Sequence, residues 1–386
     1  MSALPPVDRA SLVATRRDIH QHPELGFEET RTAGLIAARL ASLHYQVTPG
    51  VGKTGVVGLK KKEDGRCVLL RADMDALPVE EANAVPYRSQ QAGKMHACGH
   101  DGHVAIGLEV ARRLAPLELA GAVKFAFQPA EEASNGAQAM IGDGVLDGPE
   151  VHAAFGLHLW NDLPVGTIGI MAGPVMASVD QFEIEILGRG GHAAAPHQTI
   201  DPVLVAAHVI TGLQSLVSRR RDPMDEGVLS VTDVHAGRAF NVIPARPDLR
   251  GTVRTFGGRF WDEAPRLVGD TARGIAAAFG AEAIVHYHRL SSPLVNDERL
   301  SALMRDVAAS VVGAANVRTG VRTMGGEDMA FFLERVPGCF AFVGSAPRGG
   351  GGTTSPHHSP TFDIDEESLV VGAELLAQTA VKYLNA

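Results

Sequence analysis

The sequence is poor in the features that mark several large protein classes. It has only 3 cysteines among 386 residues, Cys67, Cys98 and Cys339. So odd and sparse a set argues against a disulfide framework and fits free thiols in a reducing compartment. No apolar run approaches the roughly 20 residues of a membrane-spanning helix. The start, MSALPPVDRASL, lacks the basic end and continuous apolar stretch of an export signal. A cytoplasmic protein with no membrane partner is expected. Basic runs interleaved with aromatics are also missing, and the formal net charge is −9, so nucleic acid is not an expected partner. Long low-complexity tracts are absent. What remains is 45% hydrophobic and 20% charged, enough for a full core and two domains.

From residue 8 to about 45 the pattern is helical, with Asp8 as N-cap and Leu35, Leu40 and Leu43 on one face. The apolar run Cys67 to Leu70 predicts a buried strand ending at a polar turn with Asp73 and Asp75. A second strand, Val123 to Phe127, alternates and stops at Pro129, just before Glu131 and Glu132. Between them Ile106, Val110 and Leu114 mark a helix. Strands alternating with helices predict an α/β sheet, whose ligands bind beyond the carboxyl ends of its strands.

The middle of the chain reads as a separate unit. Phe182, Ile184 and Ile186 alternate with glutamates as a half-buried strand, and Asp201-Pro202 opens a helix through Val205, Val209, Leu213 and Leu216. Strand-like runs follow near 228 to 235 and 247 to 255, then a helix from Trp261 to Gly280 and a strand through Ile284 and Val285. The order β-α-β-β-α-β describes a ferredoxin-like insert over residues 178 to 292. Its two βαβ halves are the one internal repeat. After it, Asp297 caps a helix, the strand Cys339 to Val343 returns to the first domain, and a glycine-rich loop, Arg348 to Thr354, leads to His357 and His358. A last helix follows Asp365.

Metal-binding chemistry is densest between Met95 and His103. His96, Cys98, His100, Asp101 and His103 bring a thiol, three imidazoles and a carboxylate together, each a transition-metal ligand when deprotonated. A lone buried cysteine or a polar loop is the ordinary explanation for one such residue; this density favours ligation. Glu131 and Glu132 end a strand, and His158 and His358 sit beside other strands. Adjacent glutamates can divide the labour of metal-assisted hydrolysis, one binding an ion and the other taking a proton from water that the ion acidifies.

Seven motifs then occur in a telling order: Arg71 to Pro78 (RADMDALP), Met95 to His103 (MHACGHDGH), Phe127 to Glu132 (FQPAEE), Gly188 to His197 (GRGGHAAAPH), Asn241 to Pro244 (NVIP), Met324 to Asp328 (MGGED) and His358 to Pro360 (HSP). Together they resemble the signatures of the aminoacylase and carboxypeptidase clan, most closely the branch of hippurate hydrolases and N-acyl-amino-acid amidohydrolases. The resemblance implies a mixed-sheet metallohydrolase catalytic domain over 1–177 and 293–386, and a lid and dimerisation role for the insert. It implies two divalent ions, zinc, manganese, cobalt or nickel, held by Cys98, His100, Glu132, His158 and His358. Glu131 matches the general base, and Asp75 matches a residue that orients a ligand. Asp73 takes a position that is histidine in much of the wider family, and Cys98 takes the bridging position. His192 matches a residue that reaches a partner subunit's site, so a homodimer or dimer-based oligomer is implied. Asn241, Arg254 and Gly326 match the substrate-binding groups. The implied reaction is hydrolysis of N-acyl amino acids to a carboxylic acid and a free amino acid.

Rival readings are weaker. Gly188-x-Gly190-x-x-Ala193 could pass for the dinucleotide fingerprint of an oxidoreductase, but Pro196 interrupts the helix that the motif must open. Gly52-Lys53-Thr54 resembles a phosphate loop in which Val47 replaces the first glycine, and there is no Gly-x-Ser-x-Gly elbow. A dipeptidase or carboxypeptidase on the same scaffold needs the same chemistry. A non-catalytic metal-binding relative would be expected to lose Glu131.

Overall fold

A computed structural model describes residues 4–62, 64–132, 135–347 and 355–386. The predicted loop Arg348 to Thr354 lies outside the described residues. The chain divides into two compact units, one formed by Met1–Gly173, Val295–Val321 and Asp328–Ala386, the other by Pro174–Leu294 and Arg322–Glu327. The six residues Arg322–Glu327, which follow the predicted insert in sequence, thus pack with the second unit.

The first unit is built on an eight-stranded mixed sheet in the order Gln46–Val51, Gly55–Lys60, Ala122–Gln128, Cys67–Asp73, Ala153–Pro164, Gly338–Ala346, Ile168–Gly169, Val317–Arg318. The four strands from Ala122–Gln128 to Gly338–Ala346 run parallel. Parallel strands are covered on both faces, and Cys67–Asp73, Ala122–Gln128 and Gly338–Ala346 are buried throughout. The strand expected to alternate is therefore inaccessible on both sides. Its one charged residue, Lys124, survives burial because its ammonium donates to the carbonyls of Val145, Asp147 and Pro149 at 2.9, 2.5 and 3.0 Å.

The continuous N-terminal helix expected over 8–45 is instead two helices, Arg9–His20 and Thr30–Ser42. His22-Pro23 and Gly26 break it, since the residue before proline avoids the helical region. Asp8 caps the first helix by accepting from Ser11 N at 3.1 Å, and the second buries Thr32, Ile36 and Leu40, one residue per turn. The helix His100–Leu114 is buried almost all round. Gly99 precedes it at φ 89°, a left-handed turn natural to glycine that brings Cys98 and His100 close together in the chain.

The second unit holds a four-stranded antiparallel sheet ordered Gly227–His235, Asp248–Thr255, Val179–Leu187, Glu282–Ser291. The helices Pro202–Ser215 and Gly258–Ala278 complete the βαββαβ arrangement. Val179–Leu187 alternates perfectly, and its inward Phe182, Ile184 and Ile186 meet Val205, Val209, Leu213 and Val268 in a separate core. Asp201 caps its helix through Val203 N and Leu204 N. Among the described residues no helix is long and apolar enough to cross a membrane.

Candidate metal centre

The carboxyl ends of the parallel strands gather the acidic and imidazole groups of the first unit. Of the five candidate donors between His96 and His103, the fold leaves two for ligation. Asp101 Oδ2 is taken by buried contacts to Arg16 Nε at 2.8 Å and His20 Nδ1 at 2.7 Å, and among the described residues Asp101 lies in none of the groups of converging donors. His103 donates from Nδ1 to Asp73 at 2.5 Å while its Nε2 accepts from the Leu159 amide at 2.9 Å, so neither nitrogen is spare. His96 is fully buried away from the donor groups, and burial pushes its imidazole down to about 4. Cys98 and His100 remain.

These two join residues from distant strands in groups whose donor atoms lie within 4.8 Å of one another: Cys98, His100 and His158; Cys98, Glu132 and His358; His100, Glu131 and Glu132; and Asp73, His100 and His103, the last tied up by the His103–Asp73 hydrogen bond. Cys98 Sγ is 3.5 Å from His158 Nε2, and His358 Nε2 is 3.3 Å from Glu132 Oε1. The ring orientations are set from behind. His158 Nδ1 faces the Leu159 carbonyl at 2.7 Å and His100 Nδ1 faces the Asp75 carbonyl at 3.0 Å. A carbonyl only accepts, so both Nδ1 atoms carry protons and both Nε2 lone pairs point into the cluster. Asp75 also braces the group, with Oδ1 3.2 Å from His100 Nδ1 and Oδ2 accepting from Glu132 N at 3.0 Å. His357, beside His358 in sequence, donates to the Leu159 carbonyl at 2.9 Å and stacks on Trp160.

Two backbone positions show what holding this cluster costs. Ala130 has φ 49° and His358 has φ 65°, left-handed values that burden a non-glycine residue by about 1–3 kcal/mol. Each turns the chain beside a donor. Ala130 is held by its N–H, which donates to the buried Glu29 carboxylate at 2.9 Å, and His358 by its N–H to the Ala97 carbonyl at 2.8 Å. Nothing in the sequence pattern around Glu29 marked it as a support; its part follows from long-range packing.

The donor set fits divalent cations. His100 Nε2 is buried without a hydrogen-bond partner, and Glu132 Oε1 has beside it only the His358 ring at 3.3 Å, an arrangement that is costly unless an ion fills it. Burial, reinforced by the Glu132 charge, pushes the Cys98 thiol well up. Burial, helped by His103 and His357, pushes His158 well down and keeps it neutral. The Glu132 carboxylate holds His358 above its usual range. Asp73 and Asp75 likewise raise His100 against its burial, so the acidic groups draw protons onto neighbouring imidazoles, a charge that a bound cation would supply instead. Cys98, His100 and Glu132 each belong to more than one of these groups, which overlap around shared donors.

The remaining candidates lie in the second unit. His192 and Asn241 are neighbours: His192 pairs with Val242 in a short antiparallel ladder, and Ala193 N donates to the Asn241 carbonyl at 3.1 Å. Both side chains are exposed. Arg254 is partly buried on the strand Asp248–Thr255, with Nε donating to Thr252 Oγ1 at 3.1 Å. Gly326 lies against it; a Cβ there would come within 3.3 Å of Arg254 Nη1 and 2.1 Å of Val179 Cγ2. Among the described residues no carboxylate lies within ion-pairing distance of Arg254, although burial disfavours its charge, offset in part by Asp180.

Comparison with known proteins decides the family. The model of Peptidase family M20/M25/M40 matches residues 69–382. The chain belongs to this family. It is 42% identical over 378 residues to an N-acetylcysteine deacetylase of Bacillus subtilis (strain 168), covering 97% of both chains. It is 39% identical to IAA-amino acid hydrolase ILR1-like 4 of Arabidopsis thaliana, over 97% of this chain and 86% of that one. Among solved structures, a dinuclear metal-binding peptidase of the M20 family from Bacillus subtilis superposes with TM-score 0.85 at 38% identity, covering 98% of each chain. This M20 protein is a metal-dependent amidohydrolase with a site for two divalent ions.

Proposed function

We propose that the protein cleaves the amide bond of N-acyl amino acids, giving a carboxylic acid and a free amino acid. The observation that carries this reading is the cluster itself. At the carboxyl ends of the parallel strands it combines unmatched ligand atoms with two adjacent carboxylates, Glu131 and Glu132. The similarity to an N-acetylcysteine deacetylase and an IAA-amino acid hydrolase supports the substrate class.

In this reading Cys98, His100, Glu132, His158 and His358 would hold the two ions. Bound there, the ions would supply Lewis acidity to the amide carbonyl and lower the pKa of water toward neutrality. Glu131 accepts the proton from the attacking water and returns it to the departing nitrogen, which leaves as an amine. Asp75 keeps the His100 ring and the Glu132 backbone in register. Arg254 receives the substrate's α-carboxylate, because a partly buried guanidinium without an ion pair is a ready site for a planar anion. Asn241 assists it, and Gly326 leaves room beside it. His192 stabilises the oxyanion, acting on a partner subunit's site in a homodimer. A thiolate and three imidazoles favour zinc, cobalt, nickel or manganese over calcium or magnesium. The test is a panel of N-acetyl, N-benzoyl and N-indolylacetyl amino acids, assayed after reconstitution with zinc, manganese, cobalt and nickel separately. Turnover of at least one such substrate, lost on chelation, is expected; inactivity on all of them with every metal would overturn the reading.

A further inference from the structure

The motif Met324 to Asp328 contributes Gly326 to the proposed carboxylate site, but its last residue has no part in that chemistry. Asp328 is nevertheless buried and more heavily bonded than any ligand. Its Oδ1 accepts from Arg71 Nη2 at 3.0 Å and from Gln128 Nε2 at 2.7 Å, and its Oδ2 accepts from Ala137 N at 3.0 Å. Gln128 ends the strand before the two glutamates, and Ala137 opens the helix after them. One carboxylate therefore ties together both ends of the loop that carries Glu131 and Glu132. The ends are close enough to need no spacer: Gly136 N donates to the Ala130 carbonyl at 3.3 Å, and a Cβ on Gly136 would fall 1.6 Å from the Pro129 oxygen. From this anchored position the Asp328 backbone N–H donates to Glu131 Oε1 at 3.4 Å.

We infer that Asp328 is a positioning residue for the proton-accepting carboxylate. Its side chain fixes the loop ends and its own backbone, and its N–H then aims one oxygen of Glu131 so that the other is presented to the reacting water. This rests on the reading of Glu131 as the base. A base displaced by a fraction of an ångström loses rate without losing substrate or metal affinity, which separates this role from ligation and from general stability.

The test is Asp328→Asn in the metal-reconstituted enzyme. Asparagine keeps one acceptor but sets an amide donor against either Ala137 N or both the Arg71 and Gln128 donors, so at least one tie is lost. We expect kcat to fall at least tenfold with KM changed less than about threefold. Metal content should stay at two ions per chain, and the visible spectrum of the cobalt-substituted protein should be unchanged. On a Glu131→Gln background, Asp328→Asn should lower the residual rate no further, because the two residues act as one unit. Gln128→Met, which removes the Nε2 bond to Asp328 and the Arg71 Nε bond to Oε1 without touching a charge, should give a loss of the same kind and carries the test if Asp328→Asn does not fold. An unchanged kcat, a full additional loss on the Glu131→Gln background, or metal loss in step with activity would overturn the inference. Full activity of Glu131→Gln alone would instead remove the base assignment on which it depends.

Discussion

The backbone N–H of Glu132 donates to the Asp75 carboxylate at 3.0 Å. The peptide joining Glu131 to Glu132 is therefore pinned by the same carboxylate that braces His100, and a change confined to the Glu131 side chain should leave the ligands in place. Glu131→Gln is expected to lower kcat by about 100-fold or more with metal content unchanged. Metal analysis beside the rate decides it; loss of metal in proportion to activity would make Glu131 a ligand.

Cys98 stands in two donor groups. Cys98→Ala should consequently reduce occupancy at both sites rather than one, giving well under two ions per chain after dialysis at limiting metal. Unchanged stoichiometry would make Cys98 a buried structural thiol.

Arg254→Lys keeps the charge and gives up the fork that matches a carboxylate with two parallel hydrogen bonds. Activity on an N-acyl amino acid should fall by roughly 10-fold or more, since each lost 1.4 kcal/mol of transition-state binding is tenfold. The wild type should discriminate strongly against the corresponding amino acid amide. Equal cleavage of acid and amide would widen the substrate class to simple amides.

The role proposed for His192 requires a partner subunit. Mixing inactive Glu131→Gln and His192→Ala proteins should restore part of the activity once subunits exchange, because a hybrid dimer holds one intact composite site. Proven exchange with no recovery would place His192 outside the reaction.

Glu29 offers a pH test at a residue that is not itself a ligand. Burial raises its carboxyl above the usual range, opposed by the bonds from Thr54 and Ala130. The folded state then favours the protonated form, so ionisation costs stability as pH rises through the folded value. Glu29→Gln removes that cost while keeping an acceptor for Ala130 N. Its unfolding free energy relative to wild type should therefore improve between about pH 4, near the unfolded carboxyl value, and pH 7.5, as read by urea denaturation. A constant difference would mean that Glu29 is not penalised in the fold.

Local chemistry made much of the architecture legible. Asp8, Asp201 and Asp297 all cap helices as their positions suggest, and the alternation of Phe182, Ile184 and Ile186 marks the inward face of a real strand. The donor residues could be proposed because their side-chain types are rare in combination. Sorting them was a different matter. His96, His100 and His103 look alike in sequence, and only the three-dimensional partners Asp73, Asp75 and Leu159 show which nitrogen is spare. The same holds for Glu29 and Asp328, whose work is done on backbone groups about 100 and 190 residues away. Nor does hydrophobic pattern reveal burial of Lys124, which depends on three carbonyls that follow it.

The strand Gly338–Ala346 runs between Ala153–Pro164 and Ile168–Gly169, yet it is translated after the whole segment Pro174–Leu294. His358 comes later still. During synthesis the first unit must wait with a gap in the middle of its sheet while the second unit, contiguous except for Arg322–Glu327, emerges complete. Ribosome-bound chains lacking the 338–358 region would accordingly expose the apolar flank of the Ala153 strand and hold an incomplete ligand set. Metal loading is thereby placed late in biogenesis, after the segments made on either side of the second unit have found each other.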